Sequence, residues 1–281
     1  MDMISPCPLC STEHIKEIFK KNAVPYFRCL SCGFLFSGQT QNPNLDHNTL
    51  EEYEPAYIHY LEDSPEDAVN FSRMLAWIER FKPLKGLRVL DIGTGTGKLV
   101  RYLRRDSVDA YGIEPSAALY NRYLSREPFF FLTDIQGLPG VSAPQARYDA
   151  VIISDVLEHV RAPRLFFHDL GLVLNRGAVI YVCTPNADSF FARLCGKNWH
   201  YINKYHFSFF SRGTLRKVAE EHGLNELGFA HFTRFRSIGY IGQYFIDFVA
   251  KGSTLRVPDS WYQKGVALNL HDLMQIIYQY D

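Results

Sequence analysis

The sequence predicts an α/β fold in which a mostly parallel sheet carries helices on both faces, preceded by a small cysteine-bearing unit. Two observations predict it. Apolar strand-like runs alternate with amphipathic helical stretches from Leu87 to Phe235, and four of the six cysteines fall in two Cys-x-x-Cys pairs near the start. The organisation expected is a cysteine unit over residues 1–40, an acidic linker or lid over 41–70, the α/β domain over 71–236 and a C-terminal helical extension over 237–281.

Composition agrees. The chain has 281 residues, 30 Lys+Arg against 30 Asp+Glu and 47% hydrophobic residues, which are the proportions of an ordinary globular protein. At this size roughly three quarters of the unfolded surface is buried on folding, so the core closes without disulfides or a partner. Zero formal charge removes the strong positive field of a dedicated nucleic-acid binder. No stretch approaches the roughly 20 apolar residues of a membrane helix. Met1-Asp2-Met3-Ile4 lacks the charged-then-apolar pattern of a signal peptide, so the expected compartment is the cytoplasm, where paired cysteines bind metal rather than each other.

The first element is built around Cys7-Pro8-Leu9-Cys10 and Cys29-Leu30-Ser31-Cys32-Gly33, separated by eighteen residues that include the strand-like Tyr26-Phe27-Arg28. Two turns each offering a pair of thiolates read as a zinc ribbon, in which Cys7, Cys10, Cys29 and Cys32 close a tetrahedral shell with no open position for substrate. The site expected is structural. Redox or merely buried cysteines are the alternative. Residues 41–70 then carry eight acids and no Lys or Arg, interleaved with Tyr53, Tyr57 and Tyr60. A solvated acidic face and a tyrosine lid both fit that pattern.

Strands are expected at 87–92, 109–114, 129–132, 148–154 and 178–183, with helices near 97–105, 116–125 and 162–174 between them. A further helix follows Gly213, then a strand-like 226–235 and a final helical region rich in Tyr and Ile. In a doubly wound sheet of this kind ligands bind at the carboxyl ends of the strands. The segment Asp91-Ile92-Gly93-Thr94-Gly95-Thr96-Gly97-Lys98 lies at such an end, where its glycines let the backbone approach a ligand closely. A P-loop would need glycine where Ile92 stands and Ser or Thr where Leu99 stands. A dinucleotide fingerprint would need glycine at Lys98. What remains is one acid before the glycines and another, Glu114, ending the next strand, which suits a ligand with a cationic amino-acid end and a ribose.

These residues, with Ile113-Glu114-Pro115, Thr133-Asp134-Ile135 and Ser154-Asp155-Val156-Leu157-Glu158-His159-Val160, resemble the class I S-adenosylmethionine-dependent methyltransferases over residues 70–235. The resemblance implies a Rossmann-like fold with a seven-stranded, mostly parallel sheet. It further implies that Gly93, Gly95 and Gly97 line the methionine moiety of S-adenosylmethionine, with Asp91 placing its amino group. By the same resemblance Glu114 holds the ribose hydroxyls, Asp134 accepts from the adenine amino group, Ile135 packs on the ring and Asp155 sits beneath the methionine end. The Leu-Glu-His-Val stretch resembles the quinone-biosynthesis O-methyltransferases.

Methyl transfer to a hydroxyl or carbon acid also requires a base, and histidine suits the task. His159, after the fourth strand, and His206, in Trp199-His200-Tyr201-Ile202-Asn203-Lys204-Tyr205-His206, are the candidates, each weighed against a histidine that only bonds to backbone. Asp155, Glu158 and His159 at i, i+3, i+4 spacing also suggest a metal cluster with His206, similar to the small-RNA 2′-O-methyltransferases, which have Glu in the first place. Residues 193–236 hold eight Lys or Arg against three acids, favouring an anionic substrate or pairing with the acidic 41–70 segment. The expected function is methylation of a small molecule, sugar-linked or another secondary metabolite. An RNA methyltransferase reading through its ribbon and a non-catalytic cofactor-binding module are the alternatives.

Overall fold

The computed structural model describes residues 6–39, 64–141, 146–249, 255–262 and 264–281. Most of the acidic 41–70 segment, with Tyr53, Tyr57 and Tyr60, lies outside the described residues. In the ribbon, β1 (Ile15–Lys21), β2 (Val24–Cys29) and β3 (Leu35–Ser37) pair antiparallel in that order. The helix α1 (Pro65–Ile78) then starts at Ser64, whose hydroxyl accepts from the Glu66 N–H while the Asp67 carboxylate accepts from the Ser64 N–H. This capping box satisfies donors that the first helical turn leaves unpaired.

The α/β core runs through β4 (Arg88–Ile92), α2 (Lys98–Arg105), β5 (Asp109–Glu114), a short α3 (Ala117–Leu119) that continues as a π turn, and β6 (Phe130–Leu132). It continues with α4 (Leu138–Val141), β7 (Tyr148–Ser154), a single 3-10 turn at Leu157–His159, α5 (Pro163–Leu172) and β8 (Leu174–Pro185). After α6 (Phe190–Cys195) come β9 (Ser208–Phe209), α7 (Arg212–Glu220), β10 (Leu224–His231), β11 (Arg234–Ser237), α8 (Ile238–Val249), β12 (Gly265–Leu268) and β13 (Leu273–Tyr280).

The central sheet has seven strands in the order β10-β13-β8-β7-β4-β5-β6, with β8, β7, β4, β5 and β6 paired parallel. Successive residues of each strand point to opposite faces and feed two separate cores. Leu90, Ile92, Val151, Ile153, Ile180 and Val182 meet α5 and α7 on one face. Val89, Ala150, Ile152, Val179 and Tyr181 meet Met74 and Ile78 of α1 and Leu99, Val100 and Leu103 of α2 on the other. Cys183 packs in this second core, and Cys195 is partly buried elsewhere.

Two features depart from the sequence reading. The C-terminal region is not wholly helical. After α8 the chain returns as β13, which slots antiparallel between β8 and the edge strand β10. Leu273 to Tyr278 are all buried, as a strand covered on both faces requires. In addition, β3 of the ribbon pairs with β9, matching Leu35 to Phe209 and Phe36 to Ser208, so the ribbon shares a four-stranded sheet with the α/β domain.

Candidate functional site

β4 ends at Asp91-Ile92, and the chain turns through Gly93, Gly95 and Gly97, whose φ angles are +70°, +57° and +78°. Only glycine adopts such angles without penalty. The Gly93 and Thr94 N–H groups both donate to the Ile113 carbonyl at 2.9 Å, which ties the turn to β5. A Cβ on Gly93 would stand 2.7 Å from Val156 Cγ2, and one on Gly97 2.5 Å from Phe130 Cζ. A Cβ on Gly95 would meet nothing within 4 Å. Packing therefore explains two of the glycines, while Gly95 faces open space from which a ligand can reach the backbone.

Two buried acids flank this opening. Glu114, at the end of β5, accepts from the Gly95 N–H and the Ser116 N–H, both at 2.9 Å. Burial pushes its carboxyl up to about 7, against the pull of those two bonds. Burial also pushes Asp91 up to about 7; the Thr94 hydroxyl opposes this and the charge of Glu114 adds to it. The pair thus titrates near neutrality, and a cationic or hydroxyl-rich ligand would favour the ionised forms. Asp134 is exposed after β6 and accepts from the Gly137 N–H, and Ile135 beside it is buried. The donor set at the turn fits S-adenosylmethionine: an open glycine backbone, a carboxyl at each of two strand ends and an apolar residue after the third.

Beyond β7 the sequence reading needs correction. Asp155 does not join Glu158 and His159 on a helical face, because it sits at φ +55° and only a 3-10 turn follows. Its carboxylate instead accepts from Arg234 Nη2 at 2.9 and 2.7 Å. Burial opposes ionisation of Asp155, but the charges of Arg234 and Arg236 hold it below the usual carboxylate range. Arg234, which lies 79 residues further on, carried no local motif.

Glu158, His159 and His206 do come together, with donor atoms within 4.8 Å of one another. His159 Nδ1 bonds to the Tyr205 carbonyl at 2.7 Å and His206 Nδ1 to the Tyr201 carbonyl at 2.8 Å. A carbonyl only accepts, so each ring carries its proton on Nδ1 and its lone pair on Nε2. The rings meet edge to face at 4.7 Å. Burial keeps both neutral, pulling His159 down and His206 down to about 3. Burial and then the charge of Asp155 push Glu158 up to about 8, although Thr184 Oγ1 donates to its Oε2 at 2.9 Å. Glu158 is therefore the member of this cluster that titrates near neutral pH. The sequence reading grouped these residues; what it did not reveal is how deeply the fold buries Glu158, which is 2% exposed. Of the aromatic residues near the C-terminus, Trp261 remains 47% exposed, and the side chains of Tyr240 and Tyr244 lie outside those described.

In the ribbon, Cys7 and Cys32 Sγ lie 3.7 Å apart and Cys10 and Cys29 Sγ 3.6 Å apart, and all four sulfurs fall within 4.8 Å of one another. A tetrahedral ion with bonds of about 2.3 Å to sulfur requires about 3.8 Å between sulfurs. The four thiols, none in a disulfide, thus have the separation of a ligand shell.

The raised Glu114 carboxyl makes a stability prediction. Below its ordinary 4.5 the group is protonated whether the chain is folded or not, and its stabilising contribution is full. As pH rises through about 7 the folded protein must ionise a buried group, and that contribution is lost. Denaturant unfolding of ligand-free protein is expected to show Glu114→Gln gaining on the native chain by on the order of 1–3 kcal/mol between about pH 4.5 and about pH 8. A gap that stays flat with pH contradicts this assignment.

Comparison with known proteins agrees with this architecture. The family model described as a methyltransferase domain matches residues 57–227. A ubiquinone biosynthesis O-methyltransferase from Azorhizobium caulinodans is 33% identical over 108 residues, 37% of this chain and 43% of that protein. Its counterpart from Rhizobium johnstonii is 27% identical over 181 residues, 62% of this chain and 67% of that protein. The first of these matches thus spans less than half of the curated relative's length. Among solved structures, a SAM-dependent methyltransferase from Archaeoglobus fulgidus aligns with a TM-score of 0.52 at 20% identity, covering 79% of this chain and 99% of that one. The magnesium protoporphyrin IX methyltransferase from Synechocystis, solved with SAH bound, aligns at 0.54 and 14% identity, covering 80% and 93%. No helix among the described residues is long and apolar enough to cross a membrane. The chain belongs to the methyltransferase-domain family, on the fold of the class I S-adenosylmethionine-dependent enzymes, with a four-cysteine ribbon built into its N-terminal region.

Proposed function

We propose that this protein transfers a methyl group from S-adenosylmethionine to a hydroxyl, or to an activated carbon, of a small anionic molecule. The observation that carries the reading is the convergence of buried Glu158 and His206 with half-buried His159 after the end of β7, in the sheet that bears the glycine turn. In this reading the backbone of Gly93, Gly95 and Gly97 lines the methionine moiety and Asp91 places its amino group. Glu114 holds the ribose hydroxyls, Asp134 accepts from the adenine amino group and Ile135 packs on the ring. Asp155, drawn toward Arg234, stands below the methionine end. S-adenosylmethionine, when bound, supplies a methyl group already activated by a sulfonium leaving group.

The chain's own task is then to orient the methyl acceptor and remove its proton. Ionised Glu158 and the Nε2 of the neutral His206 ring are the groups placed to take that proton, with the His159 ring packed edge to face against His206. Arg234 and Arg236 at this edge are paired with Asp155 and Glu66, so the support for an acceptor bearing a carboxylate or phosphate is the excess of Lys and Arg over acids in residues 193–236 as a whole. The match to quinone-biosynthesis O-methyltransferases supports a hydroxyl as the acceptor group. We assign Cys7, Cys10, Cys29 and Cys32 to a structural zinc ion, which when bound would lock two turns of the ribbon and offer no open coordination position. The cytoplasm is the compartment that suits reduced, metal-binding cysteines.

Calorimetry on zinc-loaded protein tests the cofactor assignment. S-adenosylmethionine is expected to bind and NAD not to compete, with Glu114→Ala weakening the interaction at least about tenfold. No binding by folded protein, or preference for NAD, overturns the reading. Proton removal has its own signature once an accepted substrate is found from a panel of phenolic and sugar-linked acids. With Glu158 needed in its ionised form, kcat/KM is expected to rise with pH through about 8, and the rise is expected to vanish in Glu158→Gln. A profile flat between about pH 6 and about pH 9 contradicts this role.

A further inference from the structure

The segment from Trp199 to Phe209 carries His206 and anchors the rest of its cluster, yet it contains little regular structure of its own beyond the two residues of β9. The Tyr205 carbonyl holds His159, the Tyr201 carbonyl holds His206, and the Phe207 N–H donates to the Glu158 carbonyl at 2.7 Å. All three members of the cluster are therefore referenced to this one stretch of chain. Its own bonds close only short turns, such as the Ile202 N–H to the Trp199 carbonyl and the Tyr205 N–H to Asn203 Oδ1, so an external frame must set where the stretch lies against the domain.

The ribbon supplies that frame at several points. Lys21 Nζ donates to the Ile202 carbonyl at 2.5 Å and the Tyr26 hydroxyl to the Asn203 carbonyl at 3.4 Å. The Ser37 N–H donates to the Phe207 carbonyl at 2.8 Å, continuing the pairing of β3 with β9. Side chains extend the contact. Tyr26 and Leu35 of the ribbon share a buried cluster with Trp199, Ile202 and Phe209, and Phe19 and Val24 pack against it. The Tyr26 ring stacks on Phe19 at 4.9 Å and meets Phe209 at 5.8 Å, and Phe209 lies 6.4 Å from the His206 ring.

We infer that the cysteine ribbon is the positioning device of the candidate active site, with Lys21 and Tyr26 as positioning residues that set the 199–209 segment and, through it, His206, His159 and Glu158. The functional meaning of this inference rests on the methyl-transfer reading above. Its physical content does not, because the frame can be measured without cofactor or turnover. A ribbon that served only as a separate reading head would have no need of three hydrogen bonds, a strand pairing and a shared aromatic cluster with this segment. The glycine turn, by contrast, is held by β5 and by Val156, which are not ribbon residues.

Amide hydrogen exchange followed by mass spectrometry tests the inference on the full chain. In the Lys21→Met, Tyr26→Phe double variant, and separately in wild-type protein stripped of zinc by EDTA, exchange in peptides covering 199–209 is expected to accelerate at least tenfold. Peptides covering β4 and β5 are expected to keep their rates. The Lys21→Arg single variant, which retains both donors, is expected to keep the protection of the native protein. Unchanged exchange over 199–209 in either preparation overturns the inference. Acceleration that spreads equally to β4 and β5 overturns it too, since the ribbon would then support the whole fold and not this segment. Failure of S-adenosylmethionine to bind would sink the proposed function and leave this result standing, so the two are distinguishable.

Discussion

Most strands of the central sheet are buried on both faces, so a side chain that must meet a polar ligand can stand only where a strand ends. That constraint explains where the acids of this protein lie. Asp91 closes on the end of β4, Glu114 ends β5, and Asp155 and Glu158 follow β7. Burial pushes all four carboxyls upward, and in Asp155 alone the charges of Arg234 and Arg236 outweigh it. A chain selected only for stability would have little reason to keep such groups, because an ionised carboxylate in a dry site is costly. Their concentration on one edge is a physical reason to place chemistry there.

The edge is completed by pieces distant in sequence. β11 brings Arg234 to Asp155, and the ribbon brings Lys21 and Tyr26 to the segment that carries His206. The helix α1 is joined to β11 through a reciprocal pair of bonds between Asn70 and the Phe235 backbone, and through Glu66 accepting from the Ser237 N–H. Asp67 of the same helix pairs with Lys98 at the start of α2, directly after the glycine turn. One network of charges and backbone bonds thus links α1, the glycine turn and β11. Lys98, which excludes a dinucleotide fingerprint in the sequence, here has a structural partner.

Much of the central fold was legible because its signals are local. The expected strands at 109–114 and 148–154 coincide with β5 and β7, and the glycine turn fell where β4 meets α2. The two Cys-x-x-Cys pairs likewise announced four converging sulfurs. The final strand was misread as helix because Leu273-Met274-Gln275-Ile276-Ile277-Tyr278 is an apolar run broken only by Gln275, which has no period that separates a buried strand from a buried helix. The cluster suggested for Asp155, Glu158, His159 and His206 assumed helical geometry; the left-handed backbone at Asp155 takes that residue out of it, while the other three converge. The role of Glu158 depends on how deeply the fold buries it, and the ribbon's bond to the 199–209 segment depends on pairings across more than 170 residues, such as Lys21 to Ile202. No local pattern encodes either.

The central claim is that the edge acids are held partly protonated in readiness for a cationic ligand. Titration calorimetry of S-adenosylmethionine binding near pH 7, repeated in buffers of different ionisation enthalpy, measures it most directly. The account predicts net proton release on binding, because the bound cation draws Asp91 and Glu114 into their ionised forms, with less release from Glu114→Gln. Binding with no buffer dependence in the native protein would show that these carboxyls do not answer to the ligand, and would contradict the account.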